Sequence, residues 1–138
     1  LAEVLQVPWG IVTSGAAASL THATVACIVG ADPEKMQQLP DMRGLKNQVI
    51  MPKESRNVYD HATRTVGVEI VEVNSVAELE SAIGPRTAMI QILGEHFGGA
   101  KFGLKEVASA SPPPPSFDES ASRHLCSFAS ASACQPRL

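Results

Sequence analysis

Two short clusters carry residue types that can hold an anion. The first is Ser14-Gly15-Ala16-Ala17, set between the apolar run Ile11-Val12-Thr13 and a helix-like run that stops at Gly30. The first turn of an α-helix presents unpaired N–H groups at the positive end of the helix dipole, and small side chains let an anion reach them. A phosphate could accept N–H bonds from Gly15 and Ala16 and an O–H bond from Ser14. Close packing of two elements uses the same small residues, so spacing alone leaves both readings open. The turn is neither a Walker A loop, since no G-K-[ST] follows, nor the G-x-G-x-x-G fingerprint of a dinucleotide site.

The second cluster is "PKESRNVYDHA", residues 52–62. It follows a strand-like run and enters a helix-like one, which places it at the carboxyl end of a strand, where open parallel sheets bind ligands. Arg56 offers a planar fork for a carboxylate or phosphate. Tyr59 and His61 could stack on a ring or move a proton. The alternative is a solvated loop with Lys53, Glu54 and Arg56 as surface charges and Tyr59 half buried. A third stretch, "GEHFGGAKFG" at 94–103, brings Glu95, His96 and Lys101 to a glycine-rich loop. A Schiff-base lysine needs a desolvating pocket, and the glycine-rich setting of Lys101 argues against that role. His22, His61, His96 and His124 show no ligand spacing, nor do Cys27, Cys126 and Cys134, so no metal is expected. Ser14 has no G-x-S-x-G elbow, which argues against a hydrolase triad.

The elements that must carry these clusters are readable. Ser14 is placed to cap a helix over about 15–29 with Gly30 as its stop, and Asp32-Pro33 starts a short helix. "NQVIMP" (47–52), "VEIVEV" (68–73) and "TAMIQIL" (87–93) read as strands by their β-branched and apolar content. Asn57 caps a helix over 58–66, and the S-x-x-E box from Ser75 to Glu78 opens another that ends at Gly84-Pro85. Residues 104–110 begin one more helix. Alternating strands and helices predict an α/β fold with a mainly parallel sheet and helical crossovers. Residues 1–110 form this domain. The Pro/Ser-rich stretch 111–138, with four consecutive prolines, is expected to be a disordered tail.

The chain has 138 residues, 44% of them apolar, and a net charge of −3. That suits one soluble domain and gives no broad basic surface for nucleic acid or anionic membrane. No apolar run is long enough to span a bilayer. Three cysteines and no secretion signal point to a reducing cytoplasm.

"VTSGAAASLTHATVACIVGADPEKMQQLPD", "GLKNQVIMPKESRNVYDHATRTVGVEIVEV" and "RTAMIQILGEHFGG" together resemble the selenium-transferase-like family of pyridoxal-phosphate enzymes. That family includes L-seryl-tRNA(Sec) selenium transferase and related ammonia-lyases acting on phosphorylated amino sugar acids. The resemblance implies part of a fold type I, aspartate-aminotransferase-like large domain. It assigns Ser14, Gly15 and Ala16 to the cofactor phosphate, places the Arg56-Asn57 segment over the cofactor ring and near substrate, and makes Arg56 a substrate-binding residue. Relatives often carry a histidine where Ser55 stands, which leaves His61 as a substitute partner for the ring. The family also has a downstream aspartate for the pyridine nitrogen and a Ser-Gly-Gly-Lys-like segment bearing the Schiff-base lysine. This sequence has neither, so it is expected to be a truncated copy, inactive alone, with no covalently attached pyridoxal phosphate. A complete copy would take an amino-acid-like or aminoacyl substrate and form a homo-oligomer. The alternative function is a non-catalytic phosphate-binding α/β module.

Overall fold

The computed structural model describes residues 11–93, 107, 109 and 110, and the backbone of 126–130. Its elements are α1 (Ala16–Val29), α2 (Pro33–Gln38), β1 (Gln48–Pro52), α3 (His61–Arg64), β2 (Glu69–Val73), α4 (Val76–Ala82), β3 (Thr87–Leu93) and β4 (Cys126–Ser130). The strands form one sheet in the order β2-β1-β3-β4, and every neighbouring pair is parallel. This is the α/β architecture that the alternation of elements requires.

Side-chain alternation along the strands sorts the core into two layers, one on each face of the sheet. Val49 and Met89 pack with Cys27, Ile28 and Val29 of α1, together with Val66, Val68 and Ala88. Ile50, Val73, Ile90 and Ile92 pack with Leu79 of α4 and with Val107. β1 and β3 are therefore buried on both faces, which is why β3 reads as an almost continuous apolar run. Cys27 is a buried member of the first layer, as its place in an apolar helical pattern predicts.

The polarity of α1 decides where its first turn lies. Its last residues, Cys27 to Val29, meet residues at or just before the strand starts: Val49, Val68 and Ala88. Nearer its beginning, Thr21 donates to the carbonyl of Ala62, beyond the end of β1, at 2.9 Å. α1 thus runs against the strands, and its N-terminus sits toward their carboxyl edge.

Local signals explain most boundaries. Gly30 ends α1 at φ +59°, its N–H bonded to Ala26 at 2.9 Å. Asp32 caps α2, accepting from the amides of Glu34 and Lys35 at 3.0 and 3.3 Å. The bond from the Lys35 amide, with that residue's side chain, holds the Asp32 carboxyl below its usual range. Ser75 Oγ accepts from the Glu78 amide at 3.2 Å, but Glu78 reaches back to the amide of Asn74, at 2.8 Å, rather than to Ser75.

Two expectations are corrected. The N-cap of α1 is Gly15, not Ser14, and no side chain caps the helix. Gly15 adopts φ 123° and ψ 173°, a backbone state open essentially to glycine alone, so the chain enters the helix one residue later. Residues 58–66 are not one helix: Val58–Asp60 form a 3₁₀ turn and α3 covers four residues. Asn57 closes that turn tightly by accepting from the Tyr59 amide at 2.8 Å. Within 111–138, read from the sequence as a disordered tail, the described backbone of Cys126–Ser130 pairs with β3 as β4. The free edge of β3 supplies backbone donors and acceptors that an extended segment of any composition can satisfy.

Candidate functional site at the carboxyl edge of the sheet

β1 and β3 are neighbours, yet the chain leaves β1 toward β2 on one side, while β4 lies on the other side of β3. Beside such a reversal, outside the carboxyl ends of the two strands, is the usual ligand position in open α/β sheets. Ser55 joins the two ends: its buried Oγ accepts from the Leu93 amide at 3.2 Å. One turn further, Thr63 Oγ1 donates to Gln91 Oε1 at 2.8 Å inside the protein. These two bonds fix the 52–63 segment to β3.

The first turn of α1 lies at this same edge. Gly15 O accepts from Ser19 N and from Thr13 Oγ1, both at 3.0 Å, while the Thr13 and Ser19 hydroxyls lie 2.6 Å apart. The entry to the helix is thus braced from both sides. Ser14, Gly15, Ala16 and Ala17 are exposed. No acidic residue occupies the first turn, and a Cβ built on Gly15 would meet nothing within 4 Å. Open amides at the positive end of a fourteen-residue helix, with no carboxylate beside them, match what a phosphate needs.

The other rim cluster is organised by charge. Arg56 is 30% exposed in its side chain and is held by two carboxylates. Its Nε donates to Oδ2 of Asp60, which is 2% exposed, and its Nη1 donates to Glu72 Oε1 at 2.5 Å. Asp60 Oδ2 also accepts from the Asn57 amide at 3.3 Å, while its Oδ1 is buried with no partner among the described residues. His61 is exposed, and its Nδ1 is engaged with the Val58 carbonyl at 2.9 Å. Tyr59, which the solvated-loop alternative makes half buried, is 63% exposed, and Val58 is 80% exposed. The tight 3₁₀ turn leaves both exposed.

Arg56 and the Ser14–Ala16 turn therefore share an edge, but among the described residues no hydrogen bond or ion pair links that turn to Arg56 or His61. Glu95, His96 and Lys101 lie outside the described residues. Sequence reasoning singled out Arg56 but missed Asp60 and Glu72 as its partners. The i,i+4 spacing of Arg56 and Asp60 was a visible signal, whereas Glu72 becomes a neighbour only through the β1–β2 pairing. No three His, Cys, Asp or Glu side chains converge among the described residues, and no helix among them is long and apolar enough to cross a membrane.

No protein-family model matches this sequence, and a search of curated proteins finds no match. Solved structures do match. The chain is similar to D-glucosaminate-6-phosphate ammonia-lyase. The similarity has a TM-score of 0.61 and 28% identity, over 68% of this chain and 28% of the ammonia-lyase chain. The chain thus spans little more than a quarter of that enzyme's length. Its sheet and helices are those of an incomplete α/β unit of the fold type I kind.

Proposed function

We propose that this chain is the cofactor-phosphate half of a pyridoxal-phosphate-dependent lyase or transferase site. What carries the reading is the open first turn of α1, braced at Gly15 and set at the same carboxyl edge of the sheet as Arg56. The ammonia-lyase likeness adds to it, because that enzyme belongs with the relatives that the sequence resembles. A seryl-tRNA selenium-transferase activity is the finer alternative within the same group, with a homo-oligomer and a cytoplasmic setting as its accompanying expectations.

Bound pyridoxal phosphate withdraws electrons from the α-carbon of an amino-acid substrate. The residues of this chain bind and orient. The amides of Gly15 and Ala16 and the hydroxyl of Ser14 hold the phosphate dianion, with the α1 dipole favouring it. Arg56 receives the substrate's anionic group. His61 can swing from Val58 to face a ring, because its own backbone, not its imidazole, anchors α3 through the Thr65 amide at 2.8 Å. Holding the phosphate and orienting the ligand are the roles assigned to these residues. A non-catalytic phosphate-binding module would use the same turn.

Thermal unfolding with added ligand tests this reading. Pyridoxal phosphate at about 100 times its Kd should stabilise the chain by about 2.7 kcal/mol, and unphosphorylated pyridoxal should not. Equal shifts with both compounds, or none with either, overturn the reading.

A further inference from the structure

Arg56 is the only described arginine that bridges two carboxylates. They come from different directions: Asp60, itself buried, from the 3₁₀ turn that leads into α3, and Glu72 from β2. A long, flexible side chain gains little from one exposed ion pair, because ordering it costs rotamer entropy. Two anchors on separate rigid elements remove that freedom in advance. The remaining, partly exposed surface of the guanidinium is then presented at the rim in one orientation. Asp60 also bears a cost that packing alone does not explain, since burying a carboxylate with one oxygen unpartnered is unfavourable. An apolar residue at this position would avoid it.

We propose that Asp60 and Glu72 are positioning residues, which preset the Arg56 guanidinium to receive the carboxylate of an amino-acid-type ligand. The inference rests on the cofactor-binding reading above and adds the group that fixes the ligand's second anion. Electrostatics alone demands the opposite behaviour. Neutralising either acid raises the local positive charge and should tighten anion binding, whereas losing an anchor loosens it.

Two probes separate these effects in the full chain: pyridoxamine 5′-phosphate, and the stable reduced adduct of pyridoxal phosphate with L-serine. They share ring and phosphate, and only the adduct has a carboxylate. Their affinity ratio, read by calorimetry, isolates Arg56 and cancels any general loosening of the fold. In the wild type the adduct should bind about tenfold or more tighter, the worth of a charge-assisted contact. Asp60→Asn and Glu72→Gln should each cut that ratio about threefold or more, and Arg56→Lys, which keeps the charge but loses the fork, should bring it close to one. An unchanged or larger ratio in the acid variants overturns the proposal, as does a wild-type ratio near one. If the wild type binds neither probe, both this inference and the cofactor-binding reading fail. Glu72 is exposed at 44%, so Glu72→Gln folds and decides the matter even if Asp60→Asn does not.

Discussion

Replacing Gly15 by alanine tests the geometry of the first turn directly. A Cβ there meets no atom within 4 Å, so crowding by the protein contributes nothing. The cost lies in the backbone. At φ 123° and ψ 173° an L-residue is strained by about 1–3 kcal/mol. The chain can bear that strain, with the new methyl standing in the open space that a phosphate must share. Alternatively it can relieve the strain by rotating the peptide, which turns the Ala16 amide away. Either response removes at least one charge-assisted hydrogen bond, worth about 1.5–3 kcal/mol, or roughly 10- to 150-fold in Kd. Gly30→Ala is the control, since Gly30 ends the same helix at φ +59° and also has nothing within 4 Å of a built Cβ. Both variants should lower the urea midpoint, and only Gly15→Ala should weaken binding of pyridoxal phosphate. Unchanged affinity in Gly15→Ala, or equal weakening in the two, refutes the assignment of these amides to a phosphate.

Two further outcomes concern the scaffold. Thr63→Val leaves the buried Gln91 Oε1 without its donor and should cost about 1–3 kcal/mol in urea unfolding. Adding Gln91→Leu should recover most of that loss, and a strictly additive double variant contradicts the coupling. The folded Asp32 carboxyl titrates below its unfolded value, so its contribution is present above that value and disappears as pH falls through the lowered one. Asp41, lowered chiefly by the Arg43 side chain, acts in the same sense. The urea midpoint should therefore drop on going from about pH 6 to about pH 3, and drop less in Asp32→Asn; identical drops would show that the cap is not the source.

The sequence spoke most clearly where structure is local. Pro at the start of α2, the Ser75 cap, the Gly30 stop and the three β-branched runs each act within a few residues, and each appears where its chemistry places it. It misled where one backbone state outranked a side-chain preference. Ser14 is a good cap by type, yet the positive φ of Gly15 moved the helix start past it. The site itself was half legible. Arg56 and the small-residue turn stand out by composition. The bonds that hold the site together join residues far apart in the chain: Ser55 to Leu93, Thr63 to Gln91 and Arg56 to Glu72. None can be inferred before the order β2-β1-β3 is known, because parallel neighbours are not sequence neighbours.

The outermost position of β2 has a consequence for how this chain meets others. A strand with a partner on one side offers its remaining backbone groups to any extended peptide. β2 bears Glu69 and Glu72, and each is tied to an arginine, Arg86 at 3.1 Å and Arg56 at 2.5 Å. An incoming strand would lie beside two carboxylates and next to the guanidinium proposed to receive ligand. Repulsion between carboxylates opposes self-association through this border, and pairing that does occur there should weaken the proposed Arg56 contact.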